Sequence, residues 1–180
     1  MEIEIIKTLQ SVSSPALDVF CKVISYLSSY LGFIFLFICF FLFYKKLFAL
    51  CFGITYGVGV GINYLMKFLI ARPRPYTVDS TILNKLPAAG LAFPSGHTLS
   101  ATIICFFLAV IVFEKVKTNW LKALLISLLI IFVGLVIFSR MYLGQHYLTD
   151  TIGGFAFGVI YSLGGYFIYK HIKRKANYDK

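Results

Sequence analysis

Ser139 and Arg140 are followed, after five further residues, by His146 and, after three more, by Asp150. On a helix starting there, His146 and Asp150 stand at i and i+4 and share a face, so the carboxylate can accept the proton of one ring nitrogen. The other nitrogen keeps its lone pair, and a histidine in that tautomer is a nucleophile or a general base. Arg140 places a permanent cation beside it, suited to an oxyanion or a phosphate.

Two upstream groups extend the set. Lys67 precedes Arg74-Pro75 by six intervening residues, and Pro94-Ser95-Gly96-His97 stands directly before an apolar run. Ser95 is expected to cap the helix that follows, with its hydroxyl and the Gly96 amide pointing at an anion, while His97 stands at the same rim to protonate a leaving oxygen. Alone, Lys67 would be read as a lysine snorkelling from a helix end and His97 as a simple cap. Together the residues fit phosphoryl transfer, with three cations and a helix N-terminus on the non-bridging oxygens, one histidine attacking and another acting as the acid. The seven acidic residues do not cluster, so neither magnesium nor zinc finds a ligand set, and no metal or other cofactor is expected.

The elements that must position these groups are membrane helices. The composition, 59% hydrophobic and 13% charged, is that of an integral membrane protein. Charge-free stretches run from Val23 to Tyr44, Leu47 to Met66, Ala123 to Ser139 and Thr151 to Tyr169, with a shorter one from Thr98 to Phe113. Each is near the ~20 residues that span a bilayer. The expected fold is an all-α, polytopic membrane helix bundle of about five transmembrane helices in one membrane-embedded domain over residues 1–180, with no repeat or low-complexity segment.

Met1 to Asp18 carries Glu2 and Glu4 and no long apolar core, so it reads as an amphipathic surface helix and not as a secretory signal. Ile3, Ile6, Leu9 and Gln10 form its weak stripe, and Ser13-Ser14-Pro15 ends it. The net charge of +10 does not imply nucleic acid. Ten basic residues lie in 45–46, 115–122 and 170–180, on one side of a five-span topology, against seven on the other, of which Lys67, Arg74 and Arg140 are assigned to chemistry. By the positive-inside rule the first side and the C-terminus are cytoplasmic, the N-terminus and the site are extracytoplasmic, and the basic tail from His171 to Lys180 lies against anionic head groups.

Between the second and third spans, Arg72-Pro73-Arg74-Pro75 cannot continue a helix, and Thr77 to Leu91 is turn-like enough to cap a site. Trp120 is expected to anchor at the interface. Gly53, Gly57 and Gly61, like Gly154 and Gly158, recur at four-residue spacing, which predicts close helix packing and leaves the oligomeric state open. The four cysteines read as small buried hydrophobes.

Lys67 with Arg74-Pro75, Pro94 to His97, and Ser139-Arg140 with His146 and Asp150 resemble the three signature motifs of the type 2 phosphatidic acid phosphatase superfamily, which also includes vanadium-dependent haloperoxidases. The motifs run in order from Lys67 to Asp150 without a departure from the pattern. The resemblance implies that His146 forms a transient phosphohistidine, that Asp150 orients it, and that His97 is the acid that later activates water. It implies that Lys67, Arg74, Ser95, Gly96 and Arg140 hold the phosphoryl group. Arg72, one step outside the pattern, has two readings: a contact to a head group or second phosphate, or a solvent-exposed side chain. In size the chain resembles compact bacterial members acting on undecaprenyl pyrophosphate or phosphatidylglycerophosphate, so the expected partners are a lipid phosphate and the bilayer. The alternatives are a lipid phosphotransferase using the same site and a non-catalytic membrane scaffold or transporter; a haloperoxidase is disfavoured because those relatives are soluble and larger.

Overall fold

A computed structural model describes residues 1–87 and 90–178, the last two by backbone alone. Ala88 and Ala89 of the expected cap, and Asp179 and Lys180 of the basic tail, lie outside the described residues. Among the described residues the chain is all-α, with eight helical segments: α1 (Glu2–Ser11), α2 (Pro15–Leu27), α3 (Tyr30–Phe43), α4 (Lys46–Ile70), α5 (Pro75–Val78), α6 (Gly96–Lys115), α7 (Asn119–Tyr142) and α8 (Leu148–Tyr178).

Four of them, α4, α6, α7 and α8, are each long and apolar enough to cross a membrane, while α2 and α3 meet that test only as a pair bent by 46°. The expected first span, Val23 to Tyr44, is therefore a broken crossing that begins earlier, at Pro15. Its break has a local cause. Ser28 donates to the Ser25 carbonyl at 3.0 Å, and Ser29 donates to the Tyr26 carbonyl at 2.6 Å while accepting from the Leu31 amide at 3.2 Å. Two adjacent hydroxyls competing for backbone groups end one helix and cap the next. At one end of the pair Asp18 meets Lys85 at 2.7 Å, and at the other Lys45 meets Glu114 of α6 at 2.7 Å, so the two helices together traverse the bundle.

In lipid, helices associate through close van der Waals contact, so small residues matter. The most extensive contact is between α6 and α8. A Cβ on Gly158 would lie 2.6 Å from the Thr102 Cβ, and one on Gly154 would strike the Ser95 carbonyl, as the glycine spacing predicts. In α4 the expectation needs correction. Gly53 packs on Phe37, but the space beside Gly57 and Gly61 is open, and Gly59 is the glycine seated against Ile103 and Tyr161. The buried face of α4 carries Phe52, Tyr56, Gly59 and Asn63, a helical register that turns Gly57 and Gly61 outward. On that inner face Tyr56 stacks on Phe33 with ring centroids 3.7 Å apart, and Phe48 and Phe52 pack against Phe107.

The basic tail is helical to Tyr178 as a continuation of α8, which has 31 residues and is thus about 46 Å long, against about 30 Å of bilayer hydrocarbon. Its exposed residues from His171 to Ala176 extend beyond the apolar part.

Candidate active site

At the opposite end of the bundle from that tail, four chain segments converge: the end of α4, the 71–95 loop, the start of α6, and the α7–α8 turn. The α4 helix stops at Ala71, whose φ of 49° is left-handed, with its amide closing on the Lys67 carbonyl. The Arg72-Pro73-Arg74-Pro75 run then leaves the helix axis, as its prolines require. Lys67 does not snorkel. Its ammonium turns inward to the carbonyls of Leu91 at 2.7 Å and Ala92 at 3.2 Å. Arg74 is buried and donates from Nε to the Gly90 carbonyl at 3.0 Å and from Nη1 to Gln145 Oε1 at 2.9 Å.

The α6 helix begins at Gly96, with fully buried Ser95 as its cap. Ser95 Oγ accepts from Thr98 Oγ1 at 3.0 Å, while its backbone amide donates to the Asp150 carbonyl at 2.9 Å, tying the second group of residues to the third. Asn63 of α4 secures the turn through the Pro94 carbonyl at 3.3 Å. His97, half-buried, lies within electrostatic range of Arg140, His146, Arg74 and Lys67.

Arg140 is 1% exposed, near the end of α7. Its Nη1 donates to Ser25 Oγ of α2 at 2.9 Å, and its buried Nε has no hydrogen-bond partner among the described residues. The chain then turns sharply. Gly144 has a φ of 74°, where a Cβ would stand 2.5 Å from the Leu83 carbonyl, so only glycine fits. The Gln145 and His146 amides both return to the Arg140 carbonyl, at 3.0 and 3.2 Å.

His146 is buried, and burial first, then Arg140, Arg74 and Lys67, push its pKa well below the ordinary 6.5, opposed by the Ala92 carbonyl. The ring is thus neutral at pH 7. Its Nδ1 faces Asp150 Oδ2 at 3.6 Å, adjacent but longer than a hydrogen bond, so the expected orienting bond is an approach. The reason is that Asp150 has other bonds: Oδ2 accepts the Tyr147 amide at 2.9 Å, in the manner of a capping box at the start of α8, and Oδ1 accepts Arg72 Nη1 at 2.6 Å. Arg72 is half-buried, and its guanidinium is bonded to Asp150, Thr149 and Glu2 instead of standing free in solvent.

The structure therefore brings together all eight residues singled out by their spacing. It adds Ser25, Gln145, Asn63, Glu2 and Thr149, which the sequence reading missed. Ser25, a hydroxyl within an apolar run, and Gln145, beside His146, left a faint signal; Glu2 left none.

The described residues of the Thr77 to Leu91 segment are tied to α1 and to the α7–α8 turn at this end. Lys7 pairs with Asp79 at 2.9 Å, Gln10 of α1 bonds both the amide and the carbonyl of Leu83, and Gln145 Nε2 reaches Asn84 and Leu86.

Residues 46–174, well over half of the chain, match the PAP2 superfamily, and the chain belongs to that family. It is a multi-pass membrane protein with the family's all-α fold. Undecaprenyl-diphosphatase BcrC of Bacillus subtilis (strain 168) is 34% identical over 99 residues, which are 54% of this chain and 46% of that protein. Phosphatidylglycerophosphatase B of the same organism is 31% identical over 102 residues, again 54% and 46%. The chain spans about half the length of these curated relatives. The crystal structure of a transmembrane PAP2 type phosphatidylglycerolphosphate phosphatase from Bacillus subtilis superposes with a TM-score of 0.79 at 23% identity, covering 97% of this chain and 85% of that one. That of Aquifex aeolicus LpxE superposes with a TM-score of 0.77 at 22% identity, covering 91% and 93%.

Proposed function

We propose that the chain is a lipid phosphatase that hydrolyses a lipid phosphate or pyrophosphate through a phosphohistidine on His146. The observation that carries this reading is the pairing of a neutral, buried His146 with a buried Arg140 whose Nε has no partner among the described residues. A buried guanidinium donor left unpaired is costly, and an anion held there would satisfy it. Because Nδ1 faces Asp150, Nε2 is the attacking atom.

In the first step Nε2 forms a bond to phosphorus, the bond from phosphorus to the leaving oxygen breaks, and His97 gives that oxygen its proton. Lys67, Arg74, Arg140, the Ser95 hydroxyl and the Gly96 amide hold the non-bridging oxygens as charge builds on them. In the second step water attacks the phosphohistidine, His97 takes its proton, and phosphate leaves with His146 restored.

Both steps use only these side chains and water, so the reaction we propose calls on no metal. The basic loops and tail at the far end support a cytoplasmic C-terminus and an extracytoplasmic site in the cell membrane. Undecaprenyl pyrophosphate is the favoured substrate, in line with the undecaprenyl-diphosphatase relative, followed by phosphatidylglycerophosphate and phosphatidic acid.

The test is phosphate release by the detergent-purified protein from these three lipids and a soluble phosphate ester, with EDTA present. EDTA-resistant release, highest from the polyprenyl pyrophosphate, is expected. Preference for a glycerophospholipid would reassign the substrate, and release only with an added acceptor alcohol would replace hydrolysis by phosphotransfer.

A further inference from the structure

Arg72 is the basic residue that the phosphoryl-binding set leaves unused, and its surroundings give it a different task. Nη1 donates to Asp150 Oδ1 and to Thr149 Oγ1, both at 2.6 Å, and Nη2 donates to Glu2 Oε2 at 2.8 Å. The guanidinium carbon lies 4.0 Å from the ring centroid of Tyr147, so the planar group is also stacked. The Arg72 carbonyl is fixed by the Ala92 amide at 2.8 Å. Turning toward a substrate phosphate would break these contacts together.

We propose that Arg72 is a positioning residue: with Glu2 of α1 it fixes the Asp150 carboxylate and, through it, the ring of His146, and it does not bind substrate. This rests on the phosphatase reading above. Asp150 has no exposed surface, and a buried carboxylate needs a cation and hydrogen bonds on both oxygens. The Tyr147 amide serves one oxygen and Arg72 the other. Without Arg72 the carboxylate would keep one fixed bond, free to rotate away from a histidine it only approaches at 3.6 Å.

Glu2 makes this a device joining three segments of the chain. Its other oxygen, Oε1, accepts both the amide and the hydroxyl of Thr149 at 2.9 Å, capping the first turn of α8 from a separate helix. One carboxylate of α1 thus holds both the helix that carries Asp150 and the arginine that aims it.

The experiment compares kcat and KM for wild type, Arg72→Gln, Arg72→Lys and Glu2→Gln on a lipid pyrophosphate and a lipid monophosphate. Arg72→Gln is expected to lower kcat by about 100-fold with KM unchanged on both substrates, the cost of a misplaced catalytic group.

Arg72→Lys is expected to recover part of the loss, because an ammonium restores the charge but not the fork. Glu2→Gln, which retains Arg72 and weakens only its hold, is expected to lose less in the same direction, and it carries the test if the Arg72 variants do not fold. A KM that rises more for the pyrophosphate than the monophosphate with kcat retained would overturn the proposal in favour of direct phosphate contact, as would wild-type kinetics in all variants. A wild type inactive on every substrate would sink the phosphatase reading instead. The His146 ring signals in NMR of histidine-labelled protein then decide: a change of tautomer or titration in Arg72→Gln supports positioning, and unchanged signals overturn it.

Discussion

Ser25 holds the Arg140 guanidinium from a helix more than a hundred residues away in the chain, at 2.9 Å and inside the bundle. Hydrogen bonds to charged groups contribute about 1.5–3 kcal/mol, so Ser25→Ala is predicted to lower kcat/KM by about 10- to 100-fold, read from initial rates at low substrate concentration. His146 sets the pH behaviour. Its folded pKa is depressed below the ordinary 6.5, so the ring stays unprotonated as the medium is acidified through that value. The acid limb of kcat/KM is predicted to lie well below pH 6.5. For stability the sign is the same: below about 6.5 the unfolded chain takes up a proton that the folded site refuses, so this histidine costs stability as pH falls and costs none above. The eight spaced residues were legible in the sequence because they stand in three motifs at fixed offsets along the chain. Ser25, Gln145 and Glu2 were not, because their role comes from contacts made across the fold, as between Glu2 and Thr149 at a separation of 147 positions.

The glycines divide by register. Gly158 meets the Thr102 side chain, so Gly158→Ala is predicted to destabilise the bundle by about 1–3 kcal/mol, the usual range for overpacking. Gly61 faces open space, and Gly61→Ala is predicted to leave the melting temperature of the detergent-solubilised protein unchanged or slightly raised. Four-residue spacing identified both series, but spacing gives a stripe without saying which neighbour it meets. For α8 the neighbour is α6; for α4 the stripe through Gly57 and Gly61 looks away from the core. The broken crossing was half legible in the same way. Hydropathy found its apolar length, while Ser28 and Ser29 looked harmless in an apolar run until their hydroxyls were seen to take backbone partners on either side of the bend.

Across the whole molecule, polarity is sorted end to end. Lys67, Arg74 and Arg140, the α1 helix and the described parts of the 71–95 segment occupy one end, and Lys45, Glu114 and the basic extension of α8 the other. Apart from Lys67, Arg74 and Arg140, four of the described basic residues lie on the site side against nine on the far side. A C-terminal reporter is therefore predicted to be cytoplasmic, and activity on a substrate supplied to the outer face of sealed cells is predicted to persist. Fold class was readable from apolar length and charge alone, and of the five expected spans four are single helices long and apolar enough to cross a membrane. The packing of α1 against the site was not, because an amphipathic helix at a membrane surface carries no signal of what its polar face will grip.

The most direct test is a rapid quench of the enzyme with a lipid substrate labelled in its transferable phosphate, followed by peptide mapping. Label that is stable to alkali, labile to acid and confined to the peptide bearing His146, and absent in His146→Ala, is the predicted result. Label on another residue, or phosphate release undiminished in His146→Ala, would contradict the account at its centre.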